Sequence, residues 1–508
     1  MTMNIARRQL LAAAPGLLLG AQRGASAPSS KPNILFLMAD QHRGDSVGAD
    51  GNRRIDTPNL DRLAREGVRF TSAYSSTPTC TPARACLLTG LSPWNHGMLA
   101  YGRVANQYPY EMPRALAEAG YYTFAIGKLH YSPQRNLHGY RGALLDESGR
   151  AESKDFRSDY RAWFASEAPN LDPDATAVGF NDYNARAYVL PERLHPTAWT
   201  GRAAAEFIAS YQRAEPFFLK VSFARPHSPY DPPQRWMERY LKAELPAATV
   251  GRWAAGWAER NSEKNDIWRG RMPEAEVRNS RAGYYGSISF IDEQVGRILA
   301  ALEKRGMLEN TLIVYTSDHG DMTGDHNLWR KSYAYEASAR VPMLLRWPAG
   351  LVSERRGRAL GQPVELRDLF PTFLDAAGVS PARALDGRSL LDLARGRTQS
   401  WREFIDLEHG VCYDKTNQWT ALTDGTWKYI HHAFSGAEQL FHLAKDKGEL
   451  NDLASSSEHS AEVRKWRGRL IEHLGPRGDR WVAGGKLARR DAMIQYSPNY
   501  PGAAAARG

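Results

Sequence analysis

Of the 508 residues, 42% are hydrophobic, 10% aromatic and 24% charged, which is ordinary for a soluble globular chain and long enough for more than one folded unit. The formal charge of +10 raises nucleic acid as a partner, but Asp and Glu still total 56 and no long Lys/Arg run occurs, so no nucleic-acid partner is expected. The excess of base reads instead as attraction for an anionic substrate or as solvated arginines.

The N-terminus carries Arg7-Arg8, continues through a short Leu/Ala/Gly stretch and reaches Ala25-Ser26-Ala27. This is the pattern of a twin-arginine export signal with an A-x-A cleavage site, and its apolar run is shorter than the roughly 20 residues of a membrane span. The expectation is a signal peptide over 1–27, a mature chain from about Pro28, and a periplasmic or secreted protein. No cysteine lies near the cleavage site, so no lipid or membrane anchor is expected, and three widely spaced cysteines make no disulfide framework.

Residues 34–38 form an almost continuous apolar run, as in a strand covered on both faces, and stop at Ala39-Asp40-Gln41. Thr57-Pro58 opens a helix carrying Leu60, Leu63 and Ala64, which Gly67 closes before Val68 and Phe70 resume extended structure. In the stretch TCTPARACLLTG, Thr81 reads as a helix cap, Pro82 as the first helical residue and Gly90 as the stop, with Leu87 and Leu88 facing inward. Cys80 is then either a small buried residue or a group at the positive end of a helix, where an anion is favoured. Residues 113–119 form the next helix and 122–126 the next strand, with Gly127-Lys128-Leu129-His130 at its end. A strand at 217–223 leads into Arg225-Pro226-His227-Ser228-Pro229-Tyr230. A helix with Ile288, Ile291, Val295, Ile298 and Leu302 inward runs to Gly306, and a buried strand at 311–316 ends at Ser317-Asp318-His319-Gly320-Asp321.

Alternation of this kind predicts the α/β class, a large mainly parallel sheet sandwiched by helices, with ligands bound beyond the carboxyl ends of the strands. Asp40, Lys128, His227 and Asp318 all stand at such ends. From about Trp401 the character changes: 419–430 reads as a hairpin around Asp424-Gly425, 439–443 as a strand and 461–473 as a helix. The predicted organisation is a catalytic domain over 28–400, a small antiparallel α+β subdomain over 401–490 and a flexible tail over 491–508.

Asp40-Gln41 and Asp318-His319 are two pairs of oxygen- or nitrogen-bearing side chains, enough to hold one divalent cation with positions left for substrate, although strand-end aspartates also cap helices and turns. Lys128, His130, His227 and Lys331 add cationic groups, and Arg84 lies one turn into the helix behind Cys80. A metal, several cations and a helix N-terminus imply a tetrahedral oxyanion, sulfate or phosphate.

Cys80-Thr81-Pro82-Ala83-Arg84 followed by Leu87-Leu88-Thr89-Gly90 resembles the signature of the type I, formylglycine-dependent sulfatases. The resemblance extends over 33–40, 127–130, 225–230 and 316–348, and the segments 419–430 and 438–453 resemble that family's C-terminal subdomain. It implies an alkaline-phosphatase-like fold and an arylsulfatase-like hydrolase that cleaves an aryl or carbohydrate sulfate ester. It further implies that a formylglycine-generating enzyme converts Cys80 to formylglycine, whose hydrate is the nucleophile. By position, Asp40, Gln41, Asp318 and His319 would hold the cation together with the modified Cys80, most readily Ca2+, with Mn2+ as the alternative. Arg84 and Lys128 would steady the diol, His130 would serve its second hydroxyl, and His227 and Lys331 would meet the sulfate and the leaving oxygen.

Many sulfatases carry Asp-Asp and Asp-Asn where this chain has Asp40-Gln41 and Asp318-His319, which makes the site less anionic. That pairing is similar to choline sulfatases and phosphonate monoester hydrolases, so a phosphonate or phosphodiester substrate is the second expectation. Trp236, Trp253, Trp257 and Trp268 line a ring pocket or simply pack, and the i,i+4 spacing of Trp253 and Trp257 favours packing. His409 is expected at the mouth of the site as a substrate-binding group, and Cys86 and Cys412 as inert structural residues.

Overall fold

Successive side chains of a strand point to opposite faces, and in the strand Asn33–Asp40 both faces are apolar: Ile34, Phe36 and Met38 enter one core while Leu35, Leu37 and Ala39 enter another. The computed structural model, which describes residues 31–411 and 413–502, builds an eight-stranded sheet around this strand. Its order is Gly142–Leu145, Tyr122–Gly127, Phe217–Pro226, Asn33–Asp40, Thr311–Ser317, Met343–Arg346, Val68–Phe70 and Arg358–Leu360. The first five strands run parallel; Met343–Arg346 is antiparallel to both of its neighbours. On one face lie the helices Cys80–Thr89, Met112–Glu118, Leu369–Ala376 and Leu390–Ala394. On the other lie Pro58–Arg65, Asp159–Glu167, Pro196–Ser210 and the 31-residue helix Glu274–Lys304.

The expected α/β sandwich is therefore present, and the carboxyl ends of four adjacent parallel strands deliver Asp40, Lys128, His227 and Asp318 to one edge. Gly127 makes this possible at the second strand: its φ of +97° is left-handed and a Cβ would stand 2.0 Å from the Ser222 carbonyl oxygen.

Two expectations are corrected. The helix expected to begin at Pro82 behind a Thr81 cap begins at Cys80, with Thr79 extended at the N-cap. Pro82 is tolerated in this first turn because its missing N–H is one of those a helix leaves unpaired. The tail expected over 491–508 is held in place as far as the described residues go. Leu99 N donates to Gln495 O at 2.9 Å, Ser497 Oγ to Trp94 O at 2.6 Å, and Tyr496 and Tyr500 pack on the core. The aromatic and hydrogen-bonding residues of this stretch outweigh its glycine and proline content; 503–508 lie outside the described residues, as do the expected signal peptide at 1–27 and Cys412.

The C-terminal sheet has the order Ile405–His409, Trp419–Thr423, Trp427–His432, Glu438–His442, all antiparallel. The hairpin turn is the expected Asp424-Gly425, with Gly425 at φ +83° and Asp424 Oδ1 accepting from Trp427 N at 2.7 Å. The helix Ser460–Leu474 closes its outer face with Val463, Trp466, Leu470 and Leu474. Among the described residues no helix is long and apolar enough to cross a membrane.

One core position breaks the apolar pattern. Lys220, in the strand Phe217–Pro226, is 1% exposed, with Nζ 5.6 Å from the Phe36 ring centroid and 6.0 Å from that of Tyr131. Burial, reinforced by the Arg84 charge, pushes its pKa down to about 7. Between that value and the ordinary lysine value the unfolded chain binds the extra proton, so this group makes stability rise with pH across that window and imposes its full cost below it. Lys220→Met is expected to flatten that slope and to stabilise the protein at pH 6 by on the order of 2–4 kcal/mol, read from denaturant unfolding at several pH values. Trp466→Ala, which empties a fully buried site, should cost about 3–5 kcal/mol in the same experiment.

Candidate active site

The helix Cys80–Thr89 points its first turn at the strand ends. Thr79, placed to cap it, makes no capping bond; its Oγ1 instead meets Ser332 Oγ at 2.6 Å and His409 Nε2 at 2.8 Å. The capping hydroxyl is thus used to tie the loop before Cys80 to the segment after Lys331 and to the first strand of the C-terminal sheet. Cys80 Sγ sits 3.2 Å from His319 Nε2 and 3.7 Å from Asp40 Oδ1. Asp40, Cys80, Asp318 and His319 offer ligand atoms that all lie within 4.8 Å of one another, and all four residues are buried.

Arg84, one turn on, is fully buried between the two carboxylates: Nη2 lies 3.2 Å from Asp40 Oδ2 and 3.0 Å from Asp318 Oδ2. Its Nη1 donates to the carbonyl of Lys128 at 2.5 Å and to Ser222 Oγ at 3.3 Å. Lys128 Nζ pairs with Asp40 Oδ2. Burial alone would raise the Asp40 carboxyl, but the neighbouring Lys128 and Arg84 hold it well below the ordinary carboxylate range. For Cys80, burial and Asp40 push the thiol up while Lys331, Lys128 and His319 pull it down, with a net fall. His319 is driven down by burial but up by Asp318 and Cys80, and ends above the ordinary histidine value.

Gln41 has a left-handed backbone, with φ +73°, and its N–H donates to Asp318 Oδ1 at 3.0 Å. Its amide NH2 donates to Asp321 Oδ2, an acceptor-only group, and its carbonyl accepts from Lys331 Nζ at 2.8 Å. Asp321, also bonded by Tyr230 Oη, therefore decides which end of the amide faces Lys331. Neither Asp321 nor Tyr230 was singled out from the sequence, although both close motifs that were.

His130, His227, Lys128, Lys331 and His409 line a cleft of about 460 Å³ above Cys80. Burial, then Arg150 and Lys128, pushes His130 well below its ordinary pKa, and its buried Nδ1 has no hydrogen-bond partner. Burial, then Lys331 and Lys128, does the same to His227, whose Nδ1 lies 2.8 Å from the Ser228 carbonyl. His409, 1% exposed, is pushed down to about 3 by burial. The structure thus brings every expected site residue to one place. The cleft walls also contain Tyr101, Arg150, Phe180, Asn181 and Tyr413, on loops whose sequence carried no periodic or motif signal, and Arg330, which lies within the 316–348 segment but was not singled out there.

The four tryptophans of the 236–268 segment are not among the cleft's lining residues. Trp253 packs on His326, Tyr335 and Phe441, and Trp257 on Trp268 and Tyr333, while Trp268 stacks behind Tyr413 at 5.7 Å. Cys86 is buried in the core with its thiol raised, first by burial, as expected of an inert residue.

Comparison with known proteins is consistent along the chain. The family profile described as Sulfatase matches residues 32–379, and one described as N-sulphoglucosamine sulphohydrolase, C-terminal, matches 324–474. An arylsulfatase of Clostridium perfringens is 38% identical over 90% of this chain and 98% of its own length. A choline-sulfatase of Rhizobium meliloti is 30% identical over 84% of this chain and 83% of its own. The crystal structure of a phosphonate monoester hydrolase of Agrobacterium radiobacter superposes with a TM-score of 0.73 at 26% identity, over 91% of this chain and all of that one.

Removing one partner from a buried ion cluster leaves uncompensated charge. Arg84→Met is expected to lower stability by about 3–5 kcal/mol, with part of the loss recovered on adding a divalent cation, as followed by thermal unfolding with and without Ca2+ or Mn2+. An unchanged midpoint would show that Arg84 does not neutralise the two carboxylates.

Proposed function

This chain belongs to the sulfatase family and is a sulfuric ester hydrolase; we propose that it cleaves the sulfate ester of an aryl or carbohydrate alcohol in the cleft above Cys80, with Cys80 acting as formylglycine. The observation that carries the reading is the joint placement of Cys80 in the first turn of a helix, against Asp40, Asp318 and His319, at the floor of a cleft ringed by Lys128, His130, His227 and Lys331. Two carboxylates, an imidazole and residue 80 suit one divalent cation, while the Gln41 carbonyl accepts from Lys331 Nζ. The hard oxygen donors favour Ca2+, and the imidazole admits Mn2+. When bound, the cation supplies charge that stabilises a nearby oxyanion and lowers the pKa of a hydroxyl. Formylglycine at position 80 would offer, as its hydrate, two geminal hydroxyls, one able to attack sulfur as the alcohol leaves and one whose loss of a proton would let sulfate depart with return of the aldehyde.

The chain's own groups divide the remaining work. Arg84 pairs with both Asp40 and Asp318 and fixes their positions, and Lys128 flanks Asp40 on the cleft side. His227 is neutral, and its contact with the Ser228 carbonyl assigns the ring proton to Nδ1, so Nε2 is an acceptor in the resting protein. Lys331 uses one N–H on Gln41 and retains others, which makes it the proton donor to the departing oxygen. His130, also neutral, is the base for the second hydroxyl. His409 borders the same cleft and anchors Thr79, and we assign it to substrate contact from the C-terminal sheet.

Maturation requires a formylglycine-generating enzyme, and the Arg7-Arg8 and Ala25-Ser26-Ala27 segments support twin-arginine export after that step in the cytoplasm. A second reading, a phosphonate monoester hydrolase, is favoured by the Asp40-Gln41 and Asp318-His319 pairs and by the superposition on such an enzyme.

Peptide mass spectrometry across residue 80 is expected to show aldehyde in place of thiol, in proportion to aryl sulfate turnover. Cys80→Ala should reduce kcat/KM on the order of 10⁴-fold or more; full activity with unmodified thiol would refute the assigned nucleophile. Chelation should abolish turnover, and the ion that restores it identifies the metal. A kcat/KM for an aryl phosphonate monoester above that for the matched aryl sulfate would replace the first reading by the second.

A further inference from the structure

The charge of the cleft exceeds what one sulfate group requires. Its lining residues include four basic side chains, Lys128, Arg150, Arg330 and Lys331, and no Asp or Glu. Three of them already have polar side-chain partners: Lys128 pairs with Asp40, Lys331 with the Gln41 carbonyl and Arg150 with Glu147. Arg330 differs. Its Nη1 donates to the main-chain carbonyl of Asp266 at 3.2 Å, and among the described residues no carboxylate lies within ion-pair distance of it. Its guanidinium carbon stands 4.9 Å from the centroid of the Tyr413 ring, which is itself backed by Trp268 at 5.7 Å. A guanidinium laid against a ring is pre-organised, and its N–H edge remains available for the two oxygens of a carboxylate or sulfate.

The backbone is bent to place it there. Arg330 has φ +67° and Ser332 has φ +78°, so Lys331 is flanked by two non-glycine residues in the left-handed region, a conformation that side-chain-bearing residues adopt at a cost. The rim also exposes aromatic surface: Tyr101 is 54% exposed and Phe180 36%. Flat apolar faces suit a ring, while a rim of cations without a carboxylate disfavours an ammonium-bearing alcohol.

We propose that Arg330 binds a second anionic group on the substrate, a carboxylate or a further sulfate, carried by a ring alcohol that rests against Tyr101 and Phe180. The preferred substrates are therefore ring sulfate esters bearing a second negative charge. This rests on the sulfatase reading for the position of the first sulfate.

The test separates the two by measuring binding apart from turnover. Calorimetry on Cys80→Ala protein would compare 4-carboxyphenyl sulfate, 4-sulfophenyl sulfate and the neutral 4-carbamoylphenyl sulfate. The expected result is a Kd about tenfold lower for at least one charged ester, identifying which anion is favoured, with the ratio falling to near one in Cys80→Ala/Arg330→Gln and partly kept with Arg330→Lys. Equal affinity for all three esters in the Cys80→Ala parent, or a ratio untouched by Arg330→Gln in protein whose unfolding midpoint is unchanged, overturns the proposal. Turnover of the same esters by the Cys80 enzyme tests the sulfatase reading separately: binding preference without hydrolysis would sink that reading and leave the second-anion site standing.

Discussion

The guanidinium of Arg84 is the contact on which the site depends. Through one buried side chain the helix Cys80–Thr89 touches the carboxyl ends of four adjacent strands: Asp40, Asp318, the Lys128 carbonyl and Ser222 Oγ. Two carboxylates buried this close repel each other unless a cation stands between them, and a buried cation is tolerable only where its donors are satisfied. Arg84 meets both conditions, so the floor of the cleft is held together before any ligand enters. The cost of burying this cluster is offset by the two apolar cores that close over the sheet on either face.

From that electrostatic floor the behaviour of the surrounding groups follows. Charges of one sign crowd the cleft, so burial and neighbouring lysines keep His130 and His227 neutral, whereas His319, which faces Asp318 and Cys80, is driven the other way. Three histidines within one site thus stand ready for different roles because their neighbours differ, not because their rings do. The arrangement of Gln41 obeys the same logic: an amide is symmetric in shape, and only the acceptor-only Asp321 on one side and the donor-only Lys331 on the other give it a direction.

The C-terminal sheet belongs to this machinery as well as to the scaffold. His409, at the end of its first strand, holds the hydroxyl of Thr79, and Thr79 begins the helix that carries Cys80. The stretch 491–502 then straps that sheet to the segment after the helix, since Leu99 bonds both Gln495 and Gly410. Displacement of this sheet would shift the first turn of the helix, and Cys80 with it.

The sequence by itself determined the alternation of strands and helices, the strand ends that bear Asp40, Lys128, His227 and Asp318, and the motif around Cys80. These are legible because a doubly covered strand demands an unbroken apolar run and because the chemistry-bearing residues interrupt it abruptly. Their convergence follows from parallel connectivity, which sends every such end to one edge. Tertiary structure alone decided the start of the helix at Cys80, since the Thr79 hydroxyl that would have marked a cap is taken by Ser332 and His409, more than 250 residues away in the chain. It alone decided that 491–502 is not a tail, that the tryptophans pack behind the wall rather than line it, and that Tyr101, Phe180 and Arg330 share the rim. Such residues sit on loops with no periodicity, and what they face is set by segments far apart in sequence, which no local pattern of side chains records.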